Sequence, residues 1–260
     1  VERTTLYSMP SEKYCEFTDF SKTIKHPFVI YADFEAILVP ESDSVRRHEP
    51  IAAGLLFLKQ GKVMEYHQFV GDGCVENFLR KCEELAYRKV RPWYKYHGSY
   101  EMKPLSMGQE QSFRQQAHCY MCKKRPVEVR DHDHFSGEFI AGACNKCNLS
   151  RRERQFLPIV FHNLRGYDMH HILKYAMNKF PTWKLSVIPQ TEEKFLAMTC
   201  RVNFTTPKFM DSLQFLNSSL AALAKCVGVL PHTMKVFDSE IVKGKGLFPY
   251  EMATSLEVLE

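Results

Sequence analysis

Two Cys-x-x-Cys pairs constrain this 260-residue chain more than any other feature: Cys119-Tyr-Met-Cys122 and Cys144-Asn-Lys-Cys147. Each short turn aims two thiolates at one point. Four thiolates complete a tetrahedral zinc shell, so the segment between the pairs must fold back on itself. Nothing in that requirement explains the intervening Asp131-His132-Asp133-His134, or Asn148 directly after the last cysteine. Two carboxylates and two imidazoles in four residues exceed the needs of a closed zinc site, which has no open position. The surplus indicates a second, catalytic metal; the plainer reading is a polar loop around a structural zinc.

The remaining cysteines (Cys15, Cys74, Cys82, Cys200 and Cys226) are scattered, which fits an intracellular metal-binding protein better than a disulfide framework. The N-terminal VERTTLYSMPSEKY carries no apolar run. No stretch approaches the ~18 apolar residues of a membrane span, so neither secretion nor membrane insertion is expected. A net charge of +5 is compatible with a polyanionic partner. The closing Leu259-Glu260 reads as a cloning scar, and the chain as a fragment of something longer.

Residues 1–26 are polar and read as an arm. Residues 27–39 form an apolar strand interrupted by Asp33 and Glu35. Strands are expected at 51–59 and 62–70, joined at a Gln60-Gly61 hairpin turn. Helical spacing over 75–90 places Val75, Phe78, Leu79, Cys82, Leu85 and Ala86 on one face. From about 91 to 155 the pattern breaks, and this part is read as an insertion. Strand character returns at 156–161, a helix at 169–180, strands at 183–188, 194–202 and 208–213, and a short helix at 218–227. The expected organisation is an α/β domain from 27–95 and 156–260, with a mixed sheet and flanking helices, interrupted by a small zinc-stapled domain at 96–155.

Asp33 and Glu35 alternate on a strand, so both side chains share one face. Burying two carboxylates is costly without a cation or donors. A divalent metal satisfies both, and so does an edge strand that shows two acids to water. Further along, Phe161-His-Asn-Leu-Arg-Gly-Tyr-Asp168 ends a strand in a turn that delivers Asn163, Tyr167 and Asp168 to one end of the sheet. The Asp-x-Glu, the Asn with its Tyr-Asp pair, and Phe209-Met-Asp-Ser-Leu213 together resemble the exonuclease motifs of family B DNA polymerases. They are most similar to the protein-primed, viral and Polinton-like branch. The resemblance implies a ribonuclease-H-like fold and 3′→5′ exonuclease chemistry with two Mg²⁺ or Mn²⁺ ions. Asp33, Glu35 and Asp168 would be the ligands. Asn163 and Tyr167 would hold the 3′ end, with Ser212 and Leu213 as further contacts to the strand. The family's third motif, Tyr-x-x-x-Asp, has no match: Thr254 stands four residues after Tyr250. Either the chain is cut before that motif or the site lacks a ligand. The polymerase palm and fingers would lie in a region absent from this chain.

The block from Cys119 to Asn148 resembles phage recombination endonuclease VII and the wider HNH, or ββα-metal, group. That resemblance implies Asp131 and Asn148 as Mg²⁺ ligands, His132 as general base, and His134 as an aid to the phosphate or leaving group. Val129 stands where the phage enzymes carry another His, and Arg151 where they carry an acid. Gly137 and Gly142 suit turns of the intervening hairpin. Lys123, Lys124, Arg125, Arg151 and Arg152 flank the cysteines and suit phosphate contacts, though such runs are also ordinary solvated surface. His170 and His171 suit packing better than chemistry.

Two functions follow. One is a metal-dependent deoxyribonuclease acting on single-stranded 3′ ends or branched DNA. The other is a DNA-binding module of a protein-primed polymerase in which the zinc domain is structural only. The phage relatives act on branches as dimers, which makes a homodimer one expected assembly. The expected setting is nuclear, or that of a virus or mobile element.

Overall fold

The structure is a computed structural model, and it describes residues 17, 19–97, 100–151, 156–191, 194–201 and 206–227. Most of the arm at 1–26, Arg152, and the stretch around Tyr250 and Thr254 lie outside the described residues. The chain divides into two compact units, Val1–Lys25 with Ser99–Arg154 and His26–Gly98 with Gln155–Glu260. No helix among the described residues is long and apolar enough to cross a membrane.

Among the described residues, the larger unit is built on a seven-stranded mixed sheet. Its strands are β1 (Phe28–Pro40), β2 (Arg46–Lys59), β3 (Lys62–Val70), β6 (Leu157–Phe161), β7 (Lys184–Pro189), β8 (Phe195–Arg201) and β9 (Pro207–Asp211), in the order β3-β2-β1-β6-β9-β8-β7. The Gln60-Gly61 turn is formed by two residues of positive φ, 48° and 75°, the backbone that a tight two-residue hairpin needs. β1, β6 and β9 run parallel. β6, between the other two, reads Leu-Pro-Ile-Val-Phe with four of its five residues buried, as a strand covered on both faces should.

Helices α1 (Cys74–Leu85) and α5 (Asp168–Lys179) pack against each other, and α1 also packs on β2 and β3. Buried aromatic rings tie sheet to helix: Phe34 meets Phe78 at 5.1 Å and Phe161 at 5.2 Å between ring centroids, both near edge-on. The helical run does not stop near residue 90. It widens into one π turn at Ala86–Val90 and continues as α2 (Arg91–His97). Pro92 has no N–H to give, and a widened turn before it spares the carbonyl it would otherwise strike. Trp93, delivered by this extension, packs edge-on against Phe28 at 5.2 Å.

The smaller unit holds α3 (Met107–Gln115), the hairpin β4 (Val129–His132) and β5 (Phe139–Ala143), and α4 (Asn145–Ser150). α3 was not foreseen in the segment read as patternless; it starts at a capping box between Ser106 and Gln109. Gly137 does occupy a turn, at φ 73°. Gly142 does not. It lies inside β5 where a Cβ would come within 2.6 Å of Val127, so close packing requires its glycine. The buried core of this unit is Cys119, Ala143, Cys144 and Cys147, with Phe20, Tyr120, Met121 and Val129 packed around it.

Candidate functional site

In the larger unit, strand register gathers the acids. Tyr31 of β1 is level with Val160 of β6, and Phe161 of β6 is level with Asp211 of β9. The C-terminal ends of three parallel strands therefore converge, and the loop leaving β6 lies at the end of the sheet where such folds bind ligands. Phe34 is buried in the core while Asp33 is exposed and Glu35 half-buried on the opposite face of β1. Asp168 opens α5 and is buried.

Asp168 carries the clearest demand. Its Oδ1 is buried without a hydrogen-bond partner. Burial, then the charge of Asp33, with further contributions from Asp211 and Glu35, push its pKa up to about 8, against a weaker opposing hydrogen bond from its own backbone N–H. A carboxylate so placed is poised for a cation, which would pair with the orphaned oxygen and relieve the repulsion among the acids. The donor set, all carboxylate oxygen, suits Mg²⁺ or Mn²⁺.

Asp211 is the residue the sequence reading passed over in favour of Ser212 and Leu213. It is fully buried, and its two oxygens accept from the backbone N–H groups of Asn163 (2.9 Å), Leu213 (2.9 Å) and Arg165 (3.1 Å), and from Arg165 Nε (3.3 Å). It folds the loop that carries Tyr167 and Asp168. Asn163 sits there at φ 68°, a conformation asparagine tolerates better than most residues. Ser212 is spent on structure: its hydroxyl donates to the Phe161 carbonyl at 2.9 Å and lies 3.0 Å from His162 Nδ1. Leu213 is half-buried beside it. An Asp directly before a Ser at the end of an apolar strand was the available signal for this anchor. Tyr167 is half-buried, and its phenol is held protonated by burial and by the charges of Asp168 and Glu35.

In the smaller unit the four cysteine sulfurs all lie within 4.8 Å of one another, and those of Cys122 and Cys144 are 4.0 Å apart. A tetrahedral site with zinc–sulfur bonds of about 2.3 Å requires sulfurs about 3.8 Å apart. The group can hold a metal such as zinc. Backbone N–H groups of Lys124 and Arg125 pull the Cys122 pKa down to about 6. Burial, with the neighbouring Cys144 and Cys122, pushes Cys147 up to about 12. Four thiolates cannot share so small a volume unless a cation joins them.

Beside the cysteines a pocket of about 560 Å³ is lined by Thr23, Ile24, Lys25, Asp131, His132, Asp133, His134, Phe135, Asn148, Leu149 and Arg151. Asp131, His132, His134 and Asn148 are thus brought together. Asp131 is buried, and its Oδ2 accepts from the Tyr120 hydroxyl at 2.7 Å and from Arg151 Nη1 at 2.9 Å. Arg151 therefore faces the pocket acid instead of free solvent. Burial first, and then the Asp131 carboxylate, push the Tyr120 pKa up. His132 Nε2 lies 3.2 Å from the carbonyl oxygen of Tyr100. A carbonyl only accepts, so Nε2 is the donor in this contact. His132 and His134 stack at 4.7 Å, and burial followed by the neighbouring His132 lowers the His134 pKa. Asp133 staples its own loop, accepting from the N–H groups of Phe135 (2.7 Å) and Ser136 (3.2 Å). Lys123, Lys124 and Arg125 are exposed.

No curated protein matches the chain. Residues 148–259, less than half of its length, match the family model of DNA polymerase type B, organellar and viral, a stretch that includes Asn163, Tyr167, Asp168 and Asp211.

Proposed function

We propose that this protein is a metal-dependent nuclease acting on DNA, with a ribonuclease-H-like 3′→5′ exonuclease site at the carboxylates of the larger unit. The observation that carries the reading is the buried, unpartnered Oδ1 of Asp168 among three other acids. Asp33, Glu35 and Asp168 would hold Mg²⁺ or Mn²⁺, which supplies Lewis acidity to the scissile phosphate. Asp211 keeps the loop in shape through its four donors. Tyr167 faces the terminal nucleotide as a stacking group. The match of residues 148–259 to a DNA polymerase family supports DNA as the substrate.

A second hydrolytic site in the smaller unit is favoured by the pocket that collects Asp131, His132, His134 and Asn148. There Asp131 and Asn148 would hold the metal, His132 Nδ1 would take the proton of the attacking water, and His134 would stand by the leaving group. The zinc domain would otherwise only bind DNA.

Both readings are tested by assaying wild type, Asp33→Ala, Asp168→Asn and His132→Ala with Mg²⁺ or Mn²⁺ on single-stranded, duplex and branched DNA. Asp33→Ala and Asp168→Asn are expected to slow shortening from 3′ ends by more than about 100-fold. Unchanged shortening in these variants removes the carboxylate site from consideration. His132→Ala is expected to lower internal cutting by about 10²- to 10⁴-fold. Internal cutting that survives this change leaves the smaller unit as a binding module.

Lys25, exposed at the pocket wall, provides a separate check on phosphate contact. Lys25→Ala is expected to lower the slope of log K against log salt by about one. An unchanged slope places Lys25 off the DNA.

A further inference from the structure

We infer that His48 is a positioning residue for Tyr167, and through it for the DNA end at the carboxylates; this rests on the exonuclease reading above. His48 lies near the start of β2, opposite Leu38 of β1 and past the irregularity in pairing that follows Glu35. Nothing in its sequence neighbourhood marks it. Its Nδ1 is 2.8 Å from the Tyr167 hydroxyl, and the two rings meet nearly edge-on, with centroids 5.2 Å apart at 79°.

His171, one turn into α5, makes a second edge-on contact with Tyr167 at 5.3 Å and 82°. Burial first, then the charge of His48, brings the His171 pKa down to about 4, so this second imidazole is neutral at working pH. The tyrosine is therefore held by two imidazoles from two elements, and its hydroxyl is tethered by one of them.

The backbone alone does not impose this orientation. Tyr167 has φ −147° and ψ −74°, outside the helix that begins at the next residue, so the ring needs contacts to keep it in place. Because Tyr167 directly precedes Asp168 and feels the charges of Asp168 and Glu35, the ring's direction decides whether a nucleotide end meets a ready surface. A side chain that must be ordered on binding weakens the complex, whereas one already ordered does not. His48 is exposed on a strand surface, so its replacement leaves the core intact.

The experiment uses the full chain and a single-stranded oligonucleotide labelled at its 5′ end. Shortening with Mg²⁺ gives KM and kcat, and fluorescence anisotropy in EDTA gives Kd. His48→Ala is expected to raise KM and Kd by about 3- to 10-fold with kcat within about 2-fold. His48→Asn, whose side-chain oxygen can stand near the position of Nδ1, is expected to recover most of that loss. Tyr167→Phe should match His48→Ala, and the double variant should be no worse than either, since both remove one shared contact. Wild-type KM and Kd in His48→Ala, multiplying losses in the double variant, or failure of His48→Asn to rescue would each overturn the inference. If wild type shortens no DNA, the exonuclease reading fails. The anisotropy comparison then decides His48 by itself, and equal Kd values for wild type and His48→Ala would reject it.

Discussion

Removal of the zinc expected at the four cysteines should unfold the smaller unit while leaving the larger unit's sheet intact. The buried core of the smaller unit is Cys119, Ala143, Cys144 and Cys147, so the ligands themselves make up most of it. Without a cation, four thiols remain in a space where their thiolate forms repel one another, and among the described residues a single alanine completes this buried apolar cluster. Structural zinc contributes about 10–16 kcal/mol of binding free energy, which in such a unit is folding free energy. Hydrogen exchange should reveal this directly. After treatment with a strong chelator, or in a Cys119→Ser/Cys147→Ser variant, the amides of β4, β5 and α4 should lose protection by more than about 10³-fold. Those of β1, β6 and β9 should keep theirs. Mass spectrometry should find one zinc per chain. Full protection of β4 and β5 in the metal-free protein would mean that the hairpin stands without the ion.

Asp168→Asn is expected to make the metal-free protein more stable and to abolish its response to Mg²⁺. The ordinary pKa of this carboxyl is 3.8, and burial among acids raises it to about 8 in the fold. Below pH 3.8 the group is protonated in both states and contributes nothing. Between these values the unfolded chain has released a proton that the folded chain still holds. Stability therefore falls by about 1.4 kcal/mol for each unit of rising pH. Above about pH 8 both states are ionised and the loss is complete, on the order of 5 kcal/mol. Asparagine removes the charge, and its amide can donate to the neighbouring acids. At pH 8 in EDTA the variant should melt on the order of 10 °C above wild type, with the gap closing toward pH 4. Mg²⁺ should raise the melting temperature of wild type, more at pH 8 than at pH 5, and leave the variant unmoved. Identical melting of the two proteins at pH 8 would show that Asp168 bears no such charge penalty.

Much of the larger unit was legible because its elements announce themselves locally. The Gln60-Gly61 turn, the alternation of Asp33, Phe34 and Glu35, and the spacing of Val75, Phe78, Leu79 and Cys82 each follow from backbone geometry within a few residues. The break expected at about residue 91 does not fall there, because a π turn accommodates Pro92 and Trp93 gains a place against Phe28. Gly142 misled because a glycine at a turn and a glycine under close contact look alike until Val127 is seen across from it.

The site shows the same division. Arg151, read as a lost acid and a phosphate contact, pairs with Asp131, a partner set by where α4 places its last turn. Asp211 gains three of its four donors from a loop that begins nearly fifty residues earlier, and His48 reaches Tyr167 from a different strand.

By itself the sequence determined the local chemistry of this protein: two thiolate turns, an imidazole and carboxylate cluster between them, and a strand with two acids on one face. Covalent spacing fixes such arrangements whatever the rest of the chain does. Only the tertiary structure decided that Asp168 is buried without a partner, that Asp131 is already paired, and that Tyr167 is held by His48. Burial and long-range partners depend on which distant segments lie side by side; in the larger unit the register of β1 with β2 and β6, and of β6 with β9, sets that.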